Sequence, residues 1–365
     1  MESAPTCGEF QTAVDSRVEQ QLGSYLAAKI SLFCKLSSGW QTDVFEFEVP
    51  SRCRRAELPS GQPLVLKIYR TGMAAEKCAR EAWTMVRLKD AGYPVPRPYL
   101  FETDQEPLGA PFMIMERLKG RPLFAFDRVP KVVAVFAMGF VPFVRAHAAL
   151  HTLNAQVVSG DSELGEGDGN YGRKSPPLLD RMLATIAERI EQTPLLALKP
   201  ALEWASSNAT RFRSGADSVL HLDYHPQNVM IEGVHVTGIT DWSGADVGDR
   251  HLDAAMTAVI LRTSATGQHH LLRDRAFGNT LRALCAAAYV TLYHSIFPLD
   301  LERFRYCQSI AALHRLAMFG LMQARGPESA GFRPRAIAEV TPAVLRLLAR
   351  RVARLTGVSV PFHVT

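Results

Sequence analysis

Between Leu118 and Pro122 the chain changes its hydrophobic period, and this change constrains the fold more than any other feature. Upstream, apolar residues fall in short runs rich in β-branched and aromatic side chains. These are around Val44 to Val49, Leu64 to Tyr69 and Phe112 to Glu116, and they read as strands; one helical stretch, Ala74 to Ala91, is set among them. Downstream, long apolar segments recur with helical spacing near residues 131–154, 178–193, 254–264, 270–295, 301–325 and 336–356. No fixed-period repeat is present. A length of 365 residues allows two or three domains. The expectation is therefore an α+β unit over residues 1–118 and a mostly helical unit over 119–365.

One interval interrupts the helical half. From Val219 to Asp241 two apolar β-type runs, Val229 to Ile231 and Val234 to Thr240, flank the Glu232-Gly233 turn signal. A hairpin there brings its ends together, so Asn228 at its entrance and Asp241 at its exit lie side by side. An amide oxygen and a carboxylate suit a hard divalent cation such as Mg²⁺. Asp223, five residues before Asn228 on a loop that Pro226 favours, adds a carboxylate beside them. Phosphoryl transfer needs this set: metal to neutralise a polyphosphate, and a carboxylate to orient a hydroxyl and accept its proton.

The spacing His221-x-Asp223-x4-Asn228, with Asp241-Trp242-Ser243 in the place of an Asp-Phe-Gly motif, matches the kinase catalytic loop. With His225-Pro226 inside the loop, and Gly248-Asp249 and Asp253 after it, the chain resembles the aminoglycoside phosphotransferase and choline kinase-like family of small-molecule kinases. The resemblance implies a bilobal protein kinase-like fold with ATP, or GTP, between a small β-rich lobe and a larger helical one. It further implies Asp223 as catalytic base and Asn228 and Asp241 as Mg²⁺ ligands. It calls for a strand lysine on the phosphates and a helix carboxylate to hold it. Lys67 in Leu64-Val65-Leu66-Lys67-Ile68-Tyr69 and Glu81 in Arg80-Glu81-Ala82-Trp83 fill these places, with Glu76 as a rival partner. By the same resemblance, the backbone of Glu116 and Leu118 contacts the base, Leu66 and Met115 line its pocket, and Ser38 and Gly39 cover the phosphates.

Departures from the protein-kinase pattern narrow the reading. The phosphate loop, Leu36 to Asp43, holds a single glycine, and Asp249 follows Asp241 too closely for a protein kinase activation segment. The family's usual glycine between loop His and Asp is Leu222. The expected acceptor is a hydroxyl of a small molecule; a pseudokinase or a protein kinase are the alternatives. Single turn roles for Asp223, Asn228 and Asp241 are the plain reading of each alone. His221 is expected to shape the loop, Asp249 and Asp253 to cap or anchor the next helix, and His151 to lie in the core.

Composition excludes other classes. With 41 Lys and Arg against 36 Asp and Glu, and no long run of like charge, nucleic acid is not implied. The apolar window Val132 to Val144 contains Pro142 and is too short for a bilayer span, which needs about 20 residues. The N-terminus lacks a signal peptide's pattern and the six cysteines are scattered, so a cytoplasmic chain with reduced thiols is expected. Arg346, Arg350, Arg351 and Arg354 read as a solvated helix face rather than a membrane-surface helix. From Ala254 to Arg325 eight arginines and no lysine stand against Asp274, Asp300 and Glu302, a poor lining for a polycationic acceptor. The acidic loop Asp161 to Asp168 pulls the other way. His269-His270 reads as exposed.

Overall fold

The run Leu64 to Tyr69 forms the middle of a sheet, as its composition requires. The computed structural model describes residues 13–50, 53, 58–123, 129–159, 176–192, 195–213, 217–264 and 275–360. They divide into a unit ending at Lys119 and a unit from Gly120 onward. The acidic loop and His269-His270 lie outside the described residues.

The first unit contains α1 (Ala13–Leu26), β1 (Ser31–Ser38), β2 (Thr42–Glu48), β3 (Pro63–Tyr69), α2 (Ala74–Asp90), β4 (Pro98–Glu102) and β5 (Phe112–Glu116). The sheet is antiparallel in the order β1-β2-β3-β5-β4. Because strand side chains alternate, β3 serves two faces. Leu64, Leu66 and Ile68 join Leu22, Leu26, Phe45 and Phe47 in the core. Val65, Lys67 and Tyr69 take the other face, toward α2. Helix α1 has no counterpart among the expected elements.

The second unit contains β6 (Arg121–Pro122), α3 (Val129–Leu150), α4 (Gln156–Ser159), α5 (Leu178–Glu191), α6 (Lys199–Phe212), β7 (Asp217–Leu220), β8 (Val229–Glu232), β9 (His235–Ile239) and β10 (Asp246–Asp249). Next come α7 (Arg250–Thr263), α8 (Arg275–Ile296), α9 (Leu301–Arg325) and α10 (Pro342–Thr356). Helix α9 is the centre: residues from Phe304 to Met322 are buried on nearly every side, against α5, α6, α7 and α10. Its small and apolar residues, from Ile310 to Leu313 and Leu316 to Met322, fall on every side, which calls for such enclosure. The expected helix from 336 begins later, because Pro342 sits at its first turn and the Thr341 hydroxyl caps it by accepting from Val344 N–H at 3.3 Å. Its apolar side, Leu345, Leu348 and Val352, is buried against the unit's own helices. No helix among the described residues is long and apolar enough to cross a membrane.

Two small sheets frame the polar interval. β6, β8 and β9 form one, and β7 pairs antiparallel with β10 in the other. Gly120, at φ +84°, sets the approach of β6 to β8, since a Cβ there would lie 2.3 Å from Ile231 O.

Candidate active site

In the first unit, Lys67 (4% exposed) donates from Nζ to both Glu81 carboxylate oxygens, at 2.8 and 2.7 Å, and Glu81 is fully buried. Tyr69 adds a third donor, its hydroxyl reaching Glu81 Oε2 at 2.7 Å. A buried ion pair holds only when its remaining lone pairs find donors, and Tyr69 supplies one here. The sequence motifs do not single it out, although period 2 puts Tyr69 on the same face as Lys67. The same alternation corrects a second expectation. Leu66 points away from Lys67 into the core, whereas Val65 shares its face, as do Met113 and Met115, which lie opposite Lys67 and Val65 on β5. Val65, Met113 and Met115 therefore share the Lys67 face, and Leu66 does not.

Ser38 ends β1 and Gly39 opens the turn to β2, where Gly39 N–H donates to Thr42 O at 2.8 Å. At the end of β5, Glu116 N–H donates to Arg97 O at 2.8 Å, and its side chain accepts from Lys89 Nζ at 3.1 Å and Arg97 N–H at 3.0 Å. Leu118 is buried and its carbonyl accepts from Arg117 Nη1 at 2.7 Å.

In the second unit, β7 ends at Leu220 and the chain turns into the polar loop. His221 is fully buried; its Nε2 meets Thr240 O at 3.0 Å and its Nδ1 accepts from Asp223 N–H at 3.3 Å. It shapes the loop, as its position in the motif led us to expect. Asp223 has a half-exposed side chain, with His225 Nε2 3.7 Å from its Oδ2. Asn228 is buried and donates from Nδ2 to Asp223 O at 3.0 Å, which turns its amide oxygen the other way. The hairpin β8–β9 pairs Val229 with Ile239, and Thr240 N–H donates to Asn228 O at 2.9 Å. Asp241 comes next, in the left-handed conformation at φ +67°. The amide oxygen of Asn228 and the carboxylate of Asp241 are both hard oxygen donors, so the set fits a divalent cation.

Leu222, where the family has glycine, also takes a left-handed conformation, φ +63°. For a side chain of this size that costs about 1–2 kcal/mol. Asp253 holds it there. This fully buried carboxylate accepts from Leu222 N–H at 2.8 Å through Oδ1, and through Oδ2 from His221 N–H at 2.6 Å and from His147 and His151 Nε2, each at 3.1 Å. The carboxylate can only accept, so both imidazoles donate to it from Nε2–H and accept the hydroxyl protons of Tyr289 (2.8 Å) and Tyr293 (2.6 Å) at Nδ1. Burial pushes His147 down to about 4, against the pull of Asp253. Burial works against the charge of Asp253 too, but His147 and His151 hold its carboxyl well below the usual range. The three groups lie within 4.8 Å of one another, a spacing that would also suit an ion, yet every ring nitrogen already has a partner.

Asp253 therefore anchors the loop, not the helix that bears it. The helix cap is Asp249, which accepts from His251 N–H at 2.9 Å and from Arg303 at 2.8 Å; burial opposes its charge, but these partners hold it at about 2. The sequence offered one signal for the network, His147 and His151 four apart on one helix face.

An antiparallel sheet with a buried lysine–glutamate pair, joined in sequence to a helical unit with this loop and hairpin, defines the protein kinase-like class. The chain belongs to the phosphotransferase enzyme family, whose sequence profile matches residues 33–306. Solved structures share the fold. The aminoglycoside phosphotransferase APH(4)-Ia superposes with a TM-score of 0.62 at 17% identity, over 91% of this chain and 98% of that one. The amicoumacin kinase hAmiN, solved with AMP-PNP, Ca²⁺ and Ami, gives 0.57 at 13% identity, over 97% and 98%. In sequence the chain is similar to acyl-CoA dehydrogenase family member 11 from Pongo abelii, 27% identical over 184 residues, and from Homo sapiens, 26% identical over 184 residues. That match takes in 50% of this chain but only 22% and 23% of those proteins' own length.

Proposed function

We propose that this phosphotransferase moves the γ-phosphate of ATP to a hydroxyl of a small molecule, with Asp223 as the base. The observation that carries the reading is the loop–hairpin geometry, in which one hydrogen-bonded turn presents Asp223, Asn228 and Asp241 together. Asp223 orients the acceptor hydroxyl and accepts its proton as the oxygen attacks; its half-exposed carboxylate is open to an incoming molecule. Asn228 and Asp241 would hold Mg²⁺, which when bound neutralises charge on the phosphates. Lys67, kept in place by Glu81 and Tyr69, binds the phosphates; the Ser38–Gly39 turn covers them, and the backbone at Glu116 and Leu118 receives the base. Relatives solved with AMP-PNP or ADP and with Ca²⁺ support a nucleotide and a divalent cation as ligands. Five free cysteines among the described residues support a reducing, cytoplasmic setting.

The test is transfer from γ-labelled ATP with Mg²⁺ to a panel of alcohols, sugars, amino alcohols and hydroxy acids, beside Asp223→Asn. Turnover in the variant should fall by a factor of ~10² to 10⁴ while nucleotide binding persists. A variant as active as the parent would remove Asp223 from the chemistry.

A further inference from the structure

Arg315 stands in the middle of α9, a helix packed against four others of the second unit, and is 9% exposed. Its Nε is buried without a hydrogen-bond partner, its Nη2 donates to Ser264 Oγ at 3.3 Å, and its guanidinium lies over the Phe319 ring at 4.7 Å. Among the described residues it makes no ion pair. Burial weighs against its charge, and the carboxylates whose fields reach it are Glu339 and Asp223, the proposed base.

Ser264, the Arg315 partner, closes the helix that bears Arg262, and Arg262 and Arg282 share Asn279. Arg262 of α7 repels both Arg282 of α8 and Arg351 of α10, burial depresses all three, and Glu339 acts on Arg282 as it does on Arg315. Among the described residues Arg262 and Arg282 bond only to neutral partners, Asn279 O at 3.3 Å and Asn279 Oδ1 at 2.8 Å, and Arg351 Nε is buried with none. Taking the Arg315 guanidinium out of water without a counter-ion is strongly unfavourable, and at Arg282 and Arg351 the charge of Arg262 adds repulsion. Local conflicts of this kind collect where a ligand completes the structure. The planar fork of arginine matches a carboxylate or phosphate with two parallel hydrogen bonds, whereas a polycation would add to the repulsion.

We propose that the acceptor hydroxyl is borne by an anionic compound, whose carboxylate or phosphate is bound by Arg315 within the arginine cluster of α7, α8, α9 and α10. The proposal rests on the phosphotransferase reading and names its acceptor class. Arg315 is then the residue that determines acceptor specificity, set within reach of the charge of Asp223.

The test measures thermal stability of the full chain saturated with Mg²⁺ and AMP-PNP, so that the nucleotide site is filled. Inorganic phosphate, glycerate, glycerol 3-phosphate, glycerol and kanamycin are added at equal ionic strength, to the wild type and to Arg315→Gln and Arg315→Lys. The expected result is a rise in Tm with the anions and none with glycerol or kanamycin. Apparent affinity for the anions should fall ~10–100-fold in Arg315→Gln and partly recover in Arg315→Lys, which keeps the charge but not the fork. A response to glycerate alone assigns a carboxylate, and a response to phosphate and glycerol 3-phosphate alone assigns a phosphate. The proposal is overturned if wild type and Arg315→Gln respond alike to every anion, if no anion raises Tm, or if kanamycin alone does so. The Tm rise on adding Mg²⁺ and AMP-PNP, read first in each protein, reports the nucleotide reading separately.

Discussion

Replacing Asp253 by Asn changes one atom in a fully buried carboxylate, and the hydrogen bonds around it set the cost. Three donors converge on Oδ2, from His221 N–H, His147 and His151, and one, Leu222 N–H, reaches Oδ1. The amide must keep its oxygen toward the three donors, which puts its NH₂ against Leu222 N–H. Donor then faces donor in a dry site, and the three surviving bonds become neutral ones of about half the strength. An unsatisfied buried donor costs about 1–3 kcal/mol, so with the weakened bonds the loss should come to about 3–6 kcal/mol. A typical protein has only about 5–15 kcal/mol in all. Leu222 would also lose the bond that holds it left-handed, so Asp223 should lose its position as well. Urea unfolding should show the midpoint falling with an unchanged slope, and transfer from γ-labelled ATP should fall with it. A loss under about 1 kcal/mol with full turnover would refute the assignment of Asp253 as the anchor of the loop.

The same network makes stability sensitive to acid. His147 titrates at about 4 when folded against an ordinary 6.5, so the unfolded chain binds the extra proton between these values and stability falls as pH drops through that window. By pH ~4.5 the loss relative to pH ~7 should be about 2–3 kcal/mol in urea titrations, and a flat profile would contradict a neutral buried His147. Lys67→Met should cost about 3–5 kcal/mol by leaving the Glu81 carboxylate buried and underpaired. Lys67→Met with Glu81→Leu should recover much of the melting temperature but none of the phosphotransfer, which separates the structural from the chemical role of the pair. Gly120→Ala should lower thermal stability by about 2–5 kcal/mol, since its Cβ would meet Ile231 O at 2.3 Å at a positive φ; an unchanged melting temperature would show that β6 can move away.

Much of the molecule was legible in one dimension because its signals are local. Short runs of β-branched and apolar residues marked β3 and β5, helical spacing marked α2 and α9, and the turn at Glu232-Gly233 fixed a hairpin that joins Asn228 to Asp241. The Lys67–Glu81 pairing came from strand-then-helix order and the family resemblance. Helices α1 and α6 had no counterpart among the expected elements; helices of this length hold mainly through the elements they pack against. Leu66 was misassigned because naming a strand does not say which of its faces meets the core; β3 has apolar residues on both sides of Lys67, and only the packing of α1 and β2 against Leu64, Leu66 and Ile68 decides it. The Asp253 network and the arginine cluster were invisible for a deeper reason. They join residues far apart in the chain, as in His221 to Asp253 and His147 to Asp253. The sequence by itself determined the chemistry of the chain, since loop spacing and hairpin closure are short-range geometry. Tertiary structure alone decided what holds Leu222 in place and which charged groups are buried around Arg315, because burial and charge depend on which distant helices meet.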